Sequence, residues 1–210
     1  MKKTSLEAYS RPRANGIVAV KFHDEDSLIN VSLTDGQSQI HIASRNGKIV
    51  RFDEASIRPM GRSAHGVKAI TLEKDGVDCV LGSVCVENNS DKTILVISSN
   101  GYGKRSALDD EEGNAIYRVT NRGGKGVKTM NLTDKTGYLI ALDAVNDDED
   151  LMLITKSGTA IRMSMDAIRV MGRNTQGVRL IDLQKRNDTL MFGCSVPKSE
   201  EVTEEETNEE

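Results

Sequence analysis

The chain contains no tryptophan, and its aromatic side chains are four tyrosines and three phenylalanines among 210 residues. That scarcity argues against propeller repeats marked by a tryptophan or another aromatic in every blade. It also argues against surfaces that bind single-stranded nucleic acid by stacking bases on rings. No apolar run approaches the ~18 residues of a membrane helix. The start, Met1-Lys2-Lys3-Thr4-Ser5, is basic but has no apolar stretch after it, so it does not read as a signal peptide. The three cysteines, Cys79, Cys85 and Cys194, are odd in number and lack a C-x-x-C spacing. Neither a disulfide framework nor a zinc site is implied. They read as small buried residues of a protein kept in the reducing cytoplasm.

Catalytic groupings are missing as well. His23, His41 and His65 are scattered. Gly61 and Gly66, like Gly172 and Gly177, have the glycine spacing of a phosphate-binding loop, but Val67-Lys68 and Val178-Arg179 stand where Lys-Ser/Thr should follow. Asp147-Asp148-Glu149-Asp150 lacks the glycine and terminal glutamate of a calcium loop and reads as a solvated hairpin loop. No metal site and no catalytic residue is expected.

Charge is unevenly placed. The formal net charge is −4, yet residues 198–210 hold seven glutamates and one lysine, so the remaining body is slightly basic. The tail is disordered by composition.

The chain repeats itself. Residues 46–70 align without gaps on residues 157–181 with ten of 25 positions identical, among them Gly47/Gly158, Arg51/Arg162, Arg58/Arg169, Arg62/Arg173 and Gly66/Gly177. A third copy carries Asn100-Gly101, Lys104-Arg105 and Arg122-Gly123-Gly124-Lys125-Gly126-Val127-Lys128, and an earlier one is visible at Lys2-Lys3-Thr4 and Arg13-Ala14-Asn15-Gly16-Ile17. One glycine before an apolar run recurs at 16, 66, 126 and 177, in steps of 50, 60 and 51 residues. Between these glycines lie short Val/Ile-rich runs that predict strands at 17–22, 27–33, 39–43, 48–52, 67–72, 79–86, 93–98, 103–107, 127–132, 138–145, 150–155, 160–165, 178–183 and 190–196. Asp35-Gly36, Asn46-Gly47, Asp75-Gly76, Asn100-Gly101 and Ser157-Gly158 supply turns. No amphipathic helix longer than a turn or two is visible.

Four strands per unit of ~50–60 residues predict an all-β, propeller-like fold of about four repeats. The expected division is 1–45, 46–99, 100–156 and 157–197, followed by the tail at 198–210. Lys2–Leu6 reads as the last strand of a unit whose beginning is missing, so the N-terminus is expected to be truncated relative to a larger protein.

The basic residues recur at matching phases: Arg51, Arg58 and Arg62; Lys104, Arg105 and Arg122; Arg162, Arg169 and Arg173; with Arg11 and Arg13 in the first unit. Lys68, Lys128 and Arg179 follow, each one residue past a Gly-Val pair. Equal phase in a radial array means equal position on each blade, which predicts a cationic stripe suited to a phosphate backbone. The competing reading is structural, with arginine stems packed on the next blade and guanidinium groups capping turn carbonyls. The residues alone leave both open.

Gly172-Arg173-Asn174-Thr175-Gln176-Gly177-Val178, Arg58-Pro59-Met60-Gly61-Arg62 and Asn100-Gly101-Tyr102-Gly103-Lys104-Arg105 together resemble the DNA gyrase A C-terminal domain family, over residues 1–197. The resemblance implies a β-pinwheel, a disc of about six propeller-like blades with strands exchanged between neighbours. It implies duplex DNA bent and wrapped on a basic rim, in support of ATP-dependent negative supercoiling. Partners would be the breakage-reunion domain of the same polypeptide and the gyrase B protein, in the bacterial cytoplasm at the nucleoid. ATP and Mg would be used by other domains, and this chain would hold no cofactor. Arg122, Gly123, Gly124, Lys125 and Gly126 resemble the core of the family's wrapping box, although Asn121 and Thr120 replace its leading Arg and Gln. The wider set expected to meet DNA is Arg11, Arg13, Arg51, Arg58, Arg62, Lys104, Arg105, Lys128, Arg162, Arg169, Arg173 and Arg179. The rival readings are the corresponding domain of topoisomerase IV and a protein-binding propeller.

Overall fold

A computed structural model describes residues 1–23, 26–74, 76–88, 90–183 and 188–198. The expected turn at Asp75 and the acidic tail from residue 199 lie outside the described residues.

Each sheet grows from a hairpin. β1 (Gln39–Ser44) turns into β2 (Lys48–Asp53) at Asn46-Gly47, β4 (Thr93–Ser98) into β5 (Tyr102–Ser106) at Asn100-Gly101, and β8 (Glu149–Thr155) into β9 (Ala160–Ser164) at Ser157-Gly158. Gly47, Gly101 and Gly158 take φ of 78°, 82° and 88°, a conformation that favours glycine, and so set the register of the flanking strands.

The hairpins are completed by exchange. The next long strand pairs back on the first strand of each: β3 (Val80–Val86) on β1, β7 (Leu139–Val145) on β4, and β11 (Leu190–Pro197) on β8. A two-residue run from beyond the following hairpin then pairs on the second strand. β6 (Val127–Lys128) joins β2, and β10 (Val178–Arg179) joins β5. The sheet orders are therefore β3-β1-β2-β6, β10-β5-β4-β7 and β11-β8-β9.

Because the sheets stack face to face, a central strand is buried on both sides. Ile94 and Val96 of β4 join Ala43, Ile49, Tyr102, Tyr117 and Met130 in one core. Leu95 and Ile97 join Leu151, Leu153, Met165 and Leu190 in the next. That two-sided burial is why β4 reads as a continuous apolar run rather than an alternating one. The outer face of β1 and β2 packs Ile40, Ile42, Val50 and Phe52 against Ile57, Ala69 and Ile70. The fold is thus the all-β, propeller-like stack expected, with 3-10 turns at Leu6–Tyr9, Glu54–Ser56 and Met165–Ala167 and no α-helix among the described residues.

Several strands are absent or shorter than expected. Residues 17–22 and 27–33 form none, and Val31 and Leu33 are 75% and 79% exposed. A strand needs a neighbour, and by analogy with β3 the neighbour of 27–33 would be the first strand of a preceding hairpin. The described residues supply only the other half of that hairpin: Val67 N–H donates to Met1 O at 2.8 Å, and the Met1 amine donates to Val67 O at 2.9 Å. Accordingly 2–6 and 67–72 are not strands. The runs at 127–132 and 178–183 shorten to β6 and β10; after Lys128 the chain turns inward, burying Thr129 and Met130. Cys79 is exposed rather than buried.

Candidate nucleic-acid interface

The repeated glycine marks the point where each short run crosses the preceding sheet. Gly126 (φ +72°) lies so close to β2 that a Cβ there would sit 2.5 Å from the Ile49 carbonyl oxygen. At Gly177 (φ +77°) the same construction meets the Gly103 carbonyl oxygen of β5 at 2.5 Å. Both the backbone conformation and the close approach exclude a side chain.

Counting from this glycine sorts the cations into three rows. Eight residues before it stand Arg58, Arg118 and Arg169, all exposed and without an ion pair among the described residues. Four before it stand Arg62, Arg122 and Arg173. Each donates one guanidinium N–H to a carbonyl of the neighbouring run: Arg62 to Val18 (3.0 Å), Arg122 to Lys68 (3.4 Å) and Arg173 to Lys128 (3.2 Å). Two after it stand Lys68, Lys128 and Arg179, all exposed. β6 and β10, which carry Lys128 and Arg179, are the outer strands of their sheets. The second and third rows therefore interlock: the guanidinium of one unit holds the backbone under the cation of the unit before.

The box-like loop is fastened the same way. Gly123 N–H donates to Ala69 O at 2.6 Å, and Thr71 donates its N–H to Gly124 O and its hydroxyl to Gly123 O. Lys125 is left exposed at the loop's head. Arg118, Asn121, Gly124 and Lys125 line a hollow of about 210 Å³.

A second set of in-phase cations turns inward, against the expectation of a single outer stripe. Arg51 is buried; its Nε donates to Gln39 Oε1, and its NH1 lies within bonding distance of Leu108 O (3.2 Å), Tyr117 O (3.0 Å) and Asp109 Oδ1 (2.9 Å). Arg105, in the equivalent place, is buried on Ile168 O at 2.8 Å and pairs with Asp147. Lys104 is fully buried, with Nζ 2.7 Å from Gly172 O. Burial, with Arg173 nearby adding repulsion, lowers its pKa to about 8. Arg162 is exposed but spent on Asp150 (2.7 Å) and Pro197 O (2.7 Å). These groups lock one unit to the next or close their own sheet. Arg51, Lys104 and Arg105 are out of a ligand's reach because a buried guanidinium or ammonium must keep its partners.

Arg11 and Arg13 are exposed, but the first unit does not share the three-row pattern: Ala8, Pro12 and Val18 occupy those places. Arg118 was not singled out by the sequence. Its signal was the eight-residue offset from Gly126, obscured by the longer stretch between Arg105 and that glycine.

His41 is the other buried polar group of note. It is fully buried beside Arg51 with neither ring nitrogen partnered, and desolvation, then the Arg51 charge, lower its pKa to about 3. It is a neutral core residue, not a ligand.

This arrangement has relatives. The family model described as the DNA gyrase C-terminal domain, beta-propeller, matches residues 1–35, 40–80, 92–146 and 149–192. The DNA gyrase A protein of Staphylococcus aureus (strain NCTC 8325) is 41% identical over 210 residues, all of this chain and 22% of that protein; its counterpart from strain MRSA252 is 40% identical over the same share. The chain therefore spans about a fifth of the length of the curated relatives it matches. Among solved structures, the C-terminal domain of DNA topoisomerase IV superposes with a TM-score of 0.83 at 22% identity, covering 93% of this chain and 58% of that one. A DNA gyrase A C-terminal domain superposes at 0.72 and 22% identity, covering 86% and 58%.

Proposed function

This chain belongs to the DNA gyrase C-terminal domain family, and on that premise we propose that it binds the phosphate backbone of duplex DNA along its three cation rows and bends the duplex around the stack. The observation that carries the reading is the repetition of those rows at one phase over consecutive units, with the backbone beneath them held by Arg62, Arg122 and Arg173. A regular polyanion is matched by regularly spaced, pre-positioned guanidinium and ammonium groups. Scarce aromatics favour backbone contact over base stacking. The inward set, Arg51, Lys104 and Arg105, supports the surface mechanically and does not touch DNA.

In the whole protein the role is to present a wrapped segment to the breakage-reunion domain of the same polypeptide, with the gyrase B protein supplying the nucleotide chemistry. This chain itself contributes no catalytic group and uses no cofactor; ATP and Mg serve elsewhere. The expected setting is the bacterial cytoplasm at the nucleoid. No described helix is long and apolar enough to cross a membrane.

The test is binding to a duplex of about one persistence length, ~150 bp, across a salt series, with linking number read after relaxation of a bound closed circle. With 6–10 phosphate contacts, affinity falls about 10³–10⁵-fold between roughly 50 and 200 mM salt. Salt-steep binding with a linking-number shift supports wrapping. Salt-insensitive binding removes the phosphate mechanism.

A further inference from the structure

The sheets in this chain follow one rule, stated twice. The short run after a repeated glycine pairs on the second strand of the preceding hairpin, with Val127 opposite Ile49 and Val178 opposite Gly103. Two pieces of the same pattern are left over among the described residues. β9 (Ala160–Ser164) is a second hairpin strand with no run on its outer edge. The run Gly16-Ile17-Val18 has no strand to pair with.

That run is already posed. Arg62 holds Val18 O at 3.0 Å as Arg122 holds Lys68 O and Arg173 holds Lys128 O. Lys2 Nζ adds a bond to Ala19 O at 2.6 Å. Gly16 keeps the left-handed φ of +79°, like Gly126 and Gly177, yet a Cβ on it would meet nothing within 4 Å. The conformation that elsewhere fits a glycine over a strand carbonyl is present with the place of that carbonyl empty.

The apolar surface agrees. Phe22, Leu28, Ile29, Val31 and Leu33 are exposed at the end that carries the run, and Met191 and Phe192 of β11 are exposed at the end that carries β9. Within the chain, β3 lies against β7 and β7 against β11, and Asn30 Nδ2 bonds to Ser83 O at 2.6 Å, placing residues 27–33 as the next member of that series.

We propose that the two ends meet between copies. The Gly16–Val18 run of one chain pairs antiparallel at the start of β9 of another, Ile17 opposite Ala160 and Val18 opposite Thr159, the places of Ile49 and Lys48 and of Gly103 and Tyr102, while its residues 27–33 lie against β11. Such a contact is head-to-tail, so it builds rings or open chains rather than a symmetric pair. It does not rest on DNA binding.

The test is sedimentation of the 210-residue chain over a concentration series, alone and as Gly16→Val, with each unfolding midpoint read in parallel. Average mass should rise to at least twice that of the monomer, and Gly16→Val should abolish the rise while the chain stays folded. Chains carrying Ile17→Cys and chains carrying Ala160→Cys should form a 17–160 disulfide when mixed under oxidation, identified by peptide mass. A mass that stays monomeric overturns the proposal and leaves the two edges to strands from elsewhere in a longer polypeptide. Association that persists in Gly16→Val, or a 17–17 link, replaces it with a different interface.

Discussion

Arg51 and Arg105 differ from Arg58, Arg118 and Arg169 in almost nothing a sequence records. Both sets recur once per unit, and both sit near the same glycine. Yet the first set is buried on the carbonyls and carboxylates of the next unit, and the second faces solvent. What separates them is the element that carries them. Arg51 and Arg105 sit inside hairpin strands, where a long side chain reaches over to the neighbouring sheet. The other row sits in the connecting loop, where a side chain points away from it. Repetition of a cation is therefore evidence of equal position, not of equal role.

The largest effects belong to the inward arginines. Replacing Arg51 by alanine takes the donor from the Tyr117 carbonyl, and replacing Arg105 takes it from the Ile168 carbonyl. That should cost roughly 1–3 kcal/mol of unfolding free energy, seen as a lower denaturant midpoint. The same substitution at Arg58, Arg118 or Arg169 should stay within about 0.5 kcal/mol. Equal losses in both sets would erase the distinction.

The crossing glycines come next. Gly126→Ala drives a Cβ onto the Ile49 carbonyl and should cost about 1–3 kcal/mol. Gly158→Ala, with a φ of +88° but open space around it, should cost about 1 kcal/mol from conformation alone.

His41 makes the stability of the interior depend on pH. Its pKa is about 3 folded against 6.5 ordinarily, so the unfolded chain takes up a proton that the folded chain refuses. The group therefore lowers stability as pH falls below about 6.5, by about 1.4 kcal/mol per unit, until about 3. His41→Val should flatten that part of the acid limb relative to the parent chain.

The smallest effect belongs to the tail. Deleting residues 198–210 removes seven glutamates. If they compete with DNA for the cations, affinity should tighten at low salt, and unchanged affinity would end that idea.

Much of this was legible beforehand. β1, β2, β4, β5, β7, β8 and β9 were placed by Val/Ile runs and Asn-Gly or Ser-Gly turns, because a hairpin's signal is local. The runs at 17–22 and 27–33 carry equally good composition and form no strand, because pairing depends on a partner that composition does not report. The exchange of β6 and β10 onto earlier sheets was likewise invisible, since two residues have no period. The phase of Arg118 is hidden in the sequence because the stretch from Arg105 to Gly126 is six residues longer than its counterpart from Arg51 to Gly66, so no gap-free alignment brings it into line. Arg51 and Arg105 share the phase of surface cations in the sequence, because phase alone does not tell a strand from a loop.

If the outward rows bind phosphate and the inward set does not, the salt slope of duplex binding should report it. The parent chain should be compared with the triple variant Arg58→Ala, Arg118→Ala and Arg169→Ala at matched folded fraction. Each lost phosphate contact should reduce the slope by about 0.9, so a drop approaching ~2.7 is predicted for three contacts. An unchanged slope and affinity would mean that this exposed row does not meet DNA.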